Sequence, residues 1–114
     1  MQKNSYNKVI LVGHLGGSPE GRYTKTGRAT VSFSLATNET WKQQDGSVAE
    51  HTEWHTVVAW DKLADFCNDY LYKGQLVSVE GVLRSRLWET KEGEKRKAVE
   101  VLCSGVVPLE WKKT

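Results

Sequence analysis

Apolar and polar residues alternate with a period of two along most of this chain, the spacing of β-strands. Residues 6–15 carry the apolar run Val9-Ile10-Leu11-Val12 and end among Gly13, Gly16 and Gly17, which predicts a buried first strand. A turn-rich stretch with Ser18, Pro19, Gly21 and Gly27 follows. Residues 28–38 set Ala29, Val31, Phe33 and Leu35 against Thr30, Ser32 and Ser34, a half-buried second strand. Residues 42–50 are polar around Asp45-Gly46 and predict a long hairpin loop, before a third strand over 51–60.

The period then changes. Leu63, Phe66, Cys67, Tyr70 and Leu71 are spaced by threes and fours, the mark of a helical face. Asp61 is the expected N-cap and Gly74 the expected stop. Period two returns over 75–88, a long fourth strand. Glu92-Gly93 marks a turn, and residues 95–104 form a fifth strand. Three strands, a helix and two strands is the order β-β-β-α-β-β of the OB-fold, a five-stranded, partly open barrel. The expected division is a barrel domain over 1–104 and a short C-terminal extension over 105–114.

Parity assigns faces to the strands. On 54–60, Trp54, Thr56, Val58 and Trp60 point one way, and His55, Val57 and Ala59 the other. On 82–88, Val82, Arg84, Arg86 and Trp88 share a face, while Leu83, Ser85 and Leu87 occupy a mostly apolar opposite one. Aromatic faces between arginines suit unpaired nucleic acid. Bases stack on indoles, and guanidinium groups neutralise phosphates. The competing assignment makes these indoles core residues. It is weakest for Trp88, whose neighbours are charged, and strongest for Trp60, beside the helix start. Trp41 begins the polar loop and is expected to be loop-mounted.

Composition sharpens this picture. Five tryptophans in 114 residues exceed what a small core holds. Net charge is only +2, so the placement of charge matters more than its sum. Lys95, Arg96 and Lys97 form a basic run that joins Arg84 and Arg86 as candidate phosphate contacts, whereas Asp61, Asp65 and Asp69 recur elsewhere. Cys67 and Cys103 lie in apolar stretches with no ligand spacing and read as buried hydrophobes in a reducing compartment. The polar start over 1–7 resembles no signal peptide, and no apolar run reaches the length of a membrane span, so a cytoplasmic location is expected.

At this point the sequence resembles the bacterial single-stranded DNA-binding (SSB) family over nearly its whole length. The matching pieces stand in register. They are Asn7 to Gly13, Ser18-Pro19-Glu20 with Arg22-Tyr23, Leu35 to Trp41, Thr52 to His55, Lys62-Leu63-Ala64, Tyr70-Leu71, Lys73-Gly74 and Val79-Glu80-Gly81. The resemblance implies a homotetramer that binds and protects single-stranded DNA in replication, recombination and repair. It also implies a bacterial, nucleoid-associated setting, with no cofactor and no metal. Its stacking aromatics fall on Trp41, Trp54, Trp60 and Trp88, with Trp60 standing where the family usually has phenylalanine. His55 falls at a position tied to subunit assembly. The family's flexible linker and acidic tail have no counterpart before Thr114, and the last residues, Glu110 to Thr114, are basic. Tail-type recruitment of partner proteins is therefore not expected of these residues.

Two other readings compete. His51, His55, Cys67 and Cys103 could assemble a metal site, although no zinc-type spacing supports it. Nothing supplies a nucleophile elbow or a phosphate loop. A primosome-type or RNA-binding OB-fold module is the other rival, since fold alone does not fix function.

Overall fold

A computed structural model describes residues 3–111 of the chain. Its elements, in order, are β1 (Val9–Leu15), β2 (Glu20–Tyr23), β3 (Ala29–Lys42), β4 (Val48–Trp60), α1 (Asp61–Tyr70), β5 (Leu76–Glu89) and β6 (Lys95–Pro108). The sheet order is β1-β5-β6-β4-β3-β2, with a further β1–β3 pairing that closes the ring. Five strands therefore make the barrel of an OB-fold, and β2 is an added strand on the edge of β3. Both seams are short. β1 meets β3 at His14↔Ala36 and Leu15↔Leu35, and parallel β4 and β6 meet at Val57↔Val101 and Val58↔Leu102.

The interior is built from the alternate residues of each strand. Val31, Phe33 and Leu35 meet Val57, Ala59, Val77, Val79 and Val101, all nearly or fully buried. The helix closes one end with Ala64, Cys67 and, just past its last turn, Leu71. Both cysteines are free and buried, in keeping with their reading as small hydrophobes. A Cβ on Gly13 would collide with the Ala36 carbonyl, so the β1–β3 seam needs a residue without a side chain there.

Beyond the barrel, two hairpin arms continue as two-stranded ribbons. β3 and β4 pair without interruption from Thr30↔Trp60 to Lys42↔Val48. β5 and β6 pair from the barrel out to Glu89↔Lys95, with one register shift between Glu80 and Gly81.

Several sequence expectations need correcting. The stretch after β1 contains β2, whose Glu20, Gly21, Arg22 and Tyr23 are all exposed and so give no apolar alternation. The expected loop over 42–50 shrinks to a tight turn at Gln43–Ser47, with Gly46 at φ 88, while Lys42 and residues 48–50 belong to paired strands. The fifth predicted strand does not stop at residue 104. Past the register shift, β6 pairs with β5 through Val77↔Pro108, so the boundary drawn between 104 and 105 falls inside a strand.

The helix ends also move. Its N-cap is Trp60, in extended conformation and with no side-chain cap, because the Asp61 carboxylate is taken by Arg28. The helix ends at Tyr70, and Gly74, at φ 86, instead shapes the turn into β5, where its N–H donates to the Leu15 carbonyl. Tyr70 lies outside the core and meets Trp111 edge to face. Of the basic C-terminal end, residues 112–114 lie outside the described residues. No helix among the described residues is long and apolar enough to cross a membrane.

Candidate nucleic-acid interface

Paired residues on neighbouring antiparallel strands share a face, so the registers fix which side chains stand together. On the β3–β4 ribbon the outer face carries Trp54, Thr56, Val58 and Trp60 beside Ala36, Ser34, Ser32 and Thr30. On the β5–β6 ribbon the same outer side carries Val82, Arg84, Arg86 and Trp88 beside Leu102, Glu100, Ala98 and Arg96. The short parallel seam at Val58↔Leu102 joins the two faces.

Three indoles meet solvent on this surface. Trp54 is 58% exposed, Trp88 is 42% exposed and Trp60 is half-buried. An open recess lies between the ribbons, lined by Trp60, Thr56, Val58, Arg86 and Glu100, with Glu20 and Arg22 of β2 on its far side. The Arg86 guanidinium sits 4.8 Å from the Trp88 ring centroid, and its Nε is 3.5 Å from Glu100 Oε2. Glu100 is mostly covered, its side chain only 14% exposed, so Arg86 screens a carboxylate inside the groove.

The candidate residues do not all gather here. Trp41 is half exposed, but it pairs with Ala49 on the face opposite Trp54 and belongs to a strand, not to a loop. The basic run is split by parity. Arg96 pairs with Trp88 on the outer face and is bound by Glu94, whereas Lys97 pairs with Leu87 and Lys95 with Glu89 on the reverse side. Among the described residues Arg84, Lys95 and Lys97 make no ion pair. His55 points inward beside Leu35, and its Nε2 is 2.9 Å from Thr37 Oγ1. His51 turns to Glu53 instead, at 2.9 Å, and holds that carboxyl below its usual range. With Cys67 and Cys103 in the core, the four residues of the metal reading do not converge. Among the described residues no His, Cys, Asp or Glu cluster could hold a metal ion.

The model of the single-strand binding protein family matches residues 6–109. The chain belongs to that family. Among this family member's relatives is "Single-stranded DNA-binding protein 1" of Chlorobaculum tepidum, 50% identical over 104 residues, which cover 90% of this chain and 64% of the relative. The single-stranded DNA-binding protein of Neisseria meningitidis is 45% identical over 100 residues, 88% of this chain and 58% of the relative. The chain thus spans about three fifths of the length of these curated relatives. Among solved structures, a Plasmodium falciparum SSB in complex with ssDNA superposes with a TM-score of 0.86 at 32% identity, covering 96% of this chain and all of that one. A deletion mutant of the Thermus aquaticus single-stranded DNA binding protein gives 0.79 at 35% identity, over 92% of this chain and 51% of that one.

Sequence reasoning missed several groups in and around this family member's recess. Glu20 and Arg22 were hidden in a stretch that reads as turn. Glu100 was legible by parity, since it shares a face with Ala98 and Leu102 and pairs with Arg84. Gly16 and Arg28 carry no local signal, because what they touch is distant in sequence.

Proposed function

We propose that this chain binds single-stranded DNA with little sequence preference and protects it during replication, recombination and repair. The observation that carries the reading is the outer surface on which Trp54, Trp60 and Trp88 alternate with Arg84 and Arg86 around an open recess. Exposed indoles offer every base a π-face, and guanidinium groups meet the phosphates between them. The work is binding, not bond-making. The resting place of the strand is proposed to run over Trp54, Trp60 and Trp88, with Arg84, Arg86 and Arg96 on its phosphates. Trp41, Lys95 and Lys97 join it where the strand passes around the ribbons. The test is titration with oligothymidylate while following tryptophan fluorescence. Saturable quenching that weakens with salt supports the proposal. No quenching, or tighter binding to ribo- than to deoxyribo-oligomers of equal length, overturns it.

We also infer that the chain works as a homo-oligomer, a tetramer. β1 pairs with β5 along Val9–His14, but its other edge meets β3 only at His14 and Leu15, which leaves a strand edge open. Outside that edge Ile10, Val12 and Val107 are each more than half exposed. An open edge beside apolar side chains suits a second copy of the same strand. A bacterial cytoplasm, at the nucleoid, is the setting this function implies.

A further inference from the structure

Trp60 and Trp88 each carry a guanidinium over the ring, but only the one over Trp60 is locked by a two-bond fork. Trp60 is the last residue of β4, where the chain turns into α1, and the guanidinium of Arg28 lies 4.6 Å from its ring centroid. That guanidinium is itself fixed. Arg28 Nε donates to Asp61 Oδ1 at 3.1 Å and Nη2 donates to Oδ2 at 2.9 Å. Two parallel hydrogen bonds fix the plane of an arginine fork as well as its position. The carboxylate comes from the residue that follows the indole, and Asp61 sits at φ 57. That left-handed conformation is disfavoured for a residue with a Cβ. Strain of this kind persists where surrounding contacts over-determine it and tends to collect at working sites.

The recess shows what the clamp serves. Its wall on this side is Trp60, and Arg28 is not among its lining residues. One face of the indole is thus taken by Arg28, while the ring still borders the space where an unpaired base fits. Asp61 matches the charge of Arg28, so the pair adds little net field to the groove.

We propose that Arg28, locked by Asp61, is a positioning residue that holds the Trp60 ring for stacking on a base, and that it is not a phosphate contact. The proposal rests on the reading of this surface as a binder of single-stranded DNA. A single stacking ring at a strand end has rotamer freedom to lose when a base arrives. A ring already braced loses less, and the difference appears as affinity.

The test is oligothymidylate titration over a range of salt for the wild type and for Arg28→Gln, Arg28→Lys and Asp61→Gly, with a thermal melt of each. The two Arg28 substitutions are repeated on a Trp60→Ala background. Arg28→Gln should weaken binding about 3- to 10-fold, a part of what one stacked base contributes. The log–log salt slope should stay as it is in the wild type. Arg28→Lys should not restore affinity, because an ammonium cannot make the fork. On the Trp60→Ala background the effect of Arg28→Gln should vanish. Asp61→Gly should weaken binding while its melting temperature holds or rises, because glycine accepts φ 57 without strain. A slope reduced by about 0.7 would make Arg28 a phosphate contact and overturn the proposal. So would an undiminished effect on the Trp60→Ala background, or unchanged binding by all three variants. If the wild type itself fails to bind, the DNA-binding reading falls, a result distinct from any of these.

Discussion

The Trp54 indole lies over Gly16, so close that a Cβ at position 16 would collide with Cζ3 of the ring and stand 2.7 Å from Ser34 Oγ. Backbone without a side chain is thus part of how this indole is placed. Gly16→Ala should displace the ring and weaken oligothymidylate binding by an amount approaching that of Trp54→Ala. That loss is about 1–3 kcal/mol for one unstacked base. Titration and a thermal melt check it. Wild-type affinity in a well-folded Gly16→Ala protein would show that the ring relocates without consequence.

Stability and binding should separate by face. Phe33 is 5% exposed inside the barrel, and Phe33→Ala should cost about 3–5 kcal/mol of stability through the cavity it leaves. Trp88→Ala removes an exposed ring and should leave the melt nearly unchanged while weakening binding. Chemical denaturation paired with titration of the folded fraction reads both. If the two variants exchange these phenotypes, the DNA surface is on the other side of the strands.

Glu100 holds Arg86 in the free protein, so a phosphate must compete with a carboxylate for that guanidinium. Glu100→Gln should release it. Binding should tighten, because the guanidinium no longer has to leave a carboxylate to meet its phosphate. Affinity equal to that of the wild type in the oligothymidylate titration would mean that Arg86 meets phosphate without leaving Glu100, or never meets it.

Burial pushes the Cys67 thiol up to about 12 from an ordinary 9.0. The folded state therefore keeps its proton at pH values where the unfolded chain has lost it. The sign follows from linkage: this contribution is complete below about pH 9 and is lost as pH rises from there through about 12. Melts between pH 8 and 11 should show stability falling with pH, and Cys67→Ala should fall less steeply from its own starting value. Identical slopes would assign the alkaline loss to other groups.

Ile10→Glu and Val12→Glu place charge on the outer face of β1 without entering the core. Both should shift the protein toward monomer in light scattering at micromolar concentration, with the single-chain circular dichroism kept. A wild-type protein that is already monomeric would refute the assembly.

The parity of β4 and of the β5 stem was legible because the barrel buries one side of each strand and selects an alternating sequence. Trp54 and Trp60 fell on one face for that reason, whereas Arg84, Arg86 and Trp88 share a face only because they stand two apart on one unbroken strand. The arms were less legible. Residues 37–42 and 48–53 pair outside the barrel, where neither side is buried, so nothing selects apolar alternation and the stretch between reads as loop. Trp41 was misplaced by the same cause. Lys95, Arg96 and Lys97 read as one patch because adjacent charges look alike until strand pairing divides them. The helix start was off by one residue because Asp61 answers to Arg28, thirty-three positions away, and not to the helix. Such long-range partners leave no trace in a local pattern.

The β4–β6 seam ends at Val57↔Val101, and Val101 pairs with Leu83, so the β5–β6 ladder leaves the barrel there and projects from Arg84 onward. From there to Trp88 the ladder is continuous, so a bend at its root would carry the whole arm as a lever. Arg84 to Trp88 make an arm about 17 Å long. A bend of about 10° at its root would carry the tip through about 3 Å. Trp60 sits on the barrel and Trp88 near the end of the arm, so one angle would set the gap between the two rings. If the surface binds as proposed, a polymer of variable reach would be accommodated by flexing a beam, with each ring keeping its own rotamer.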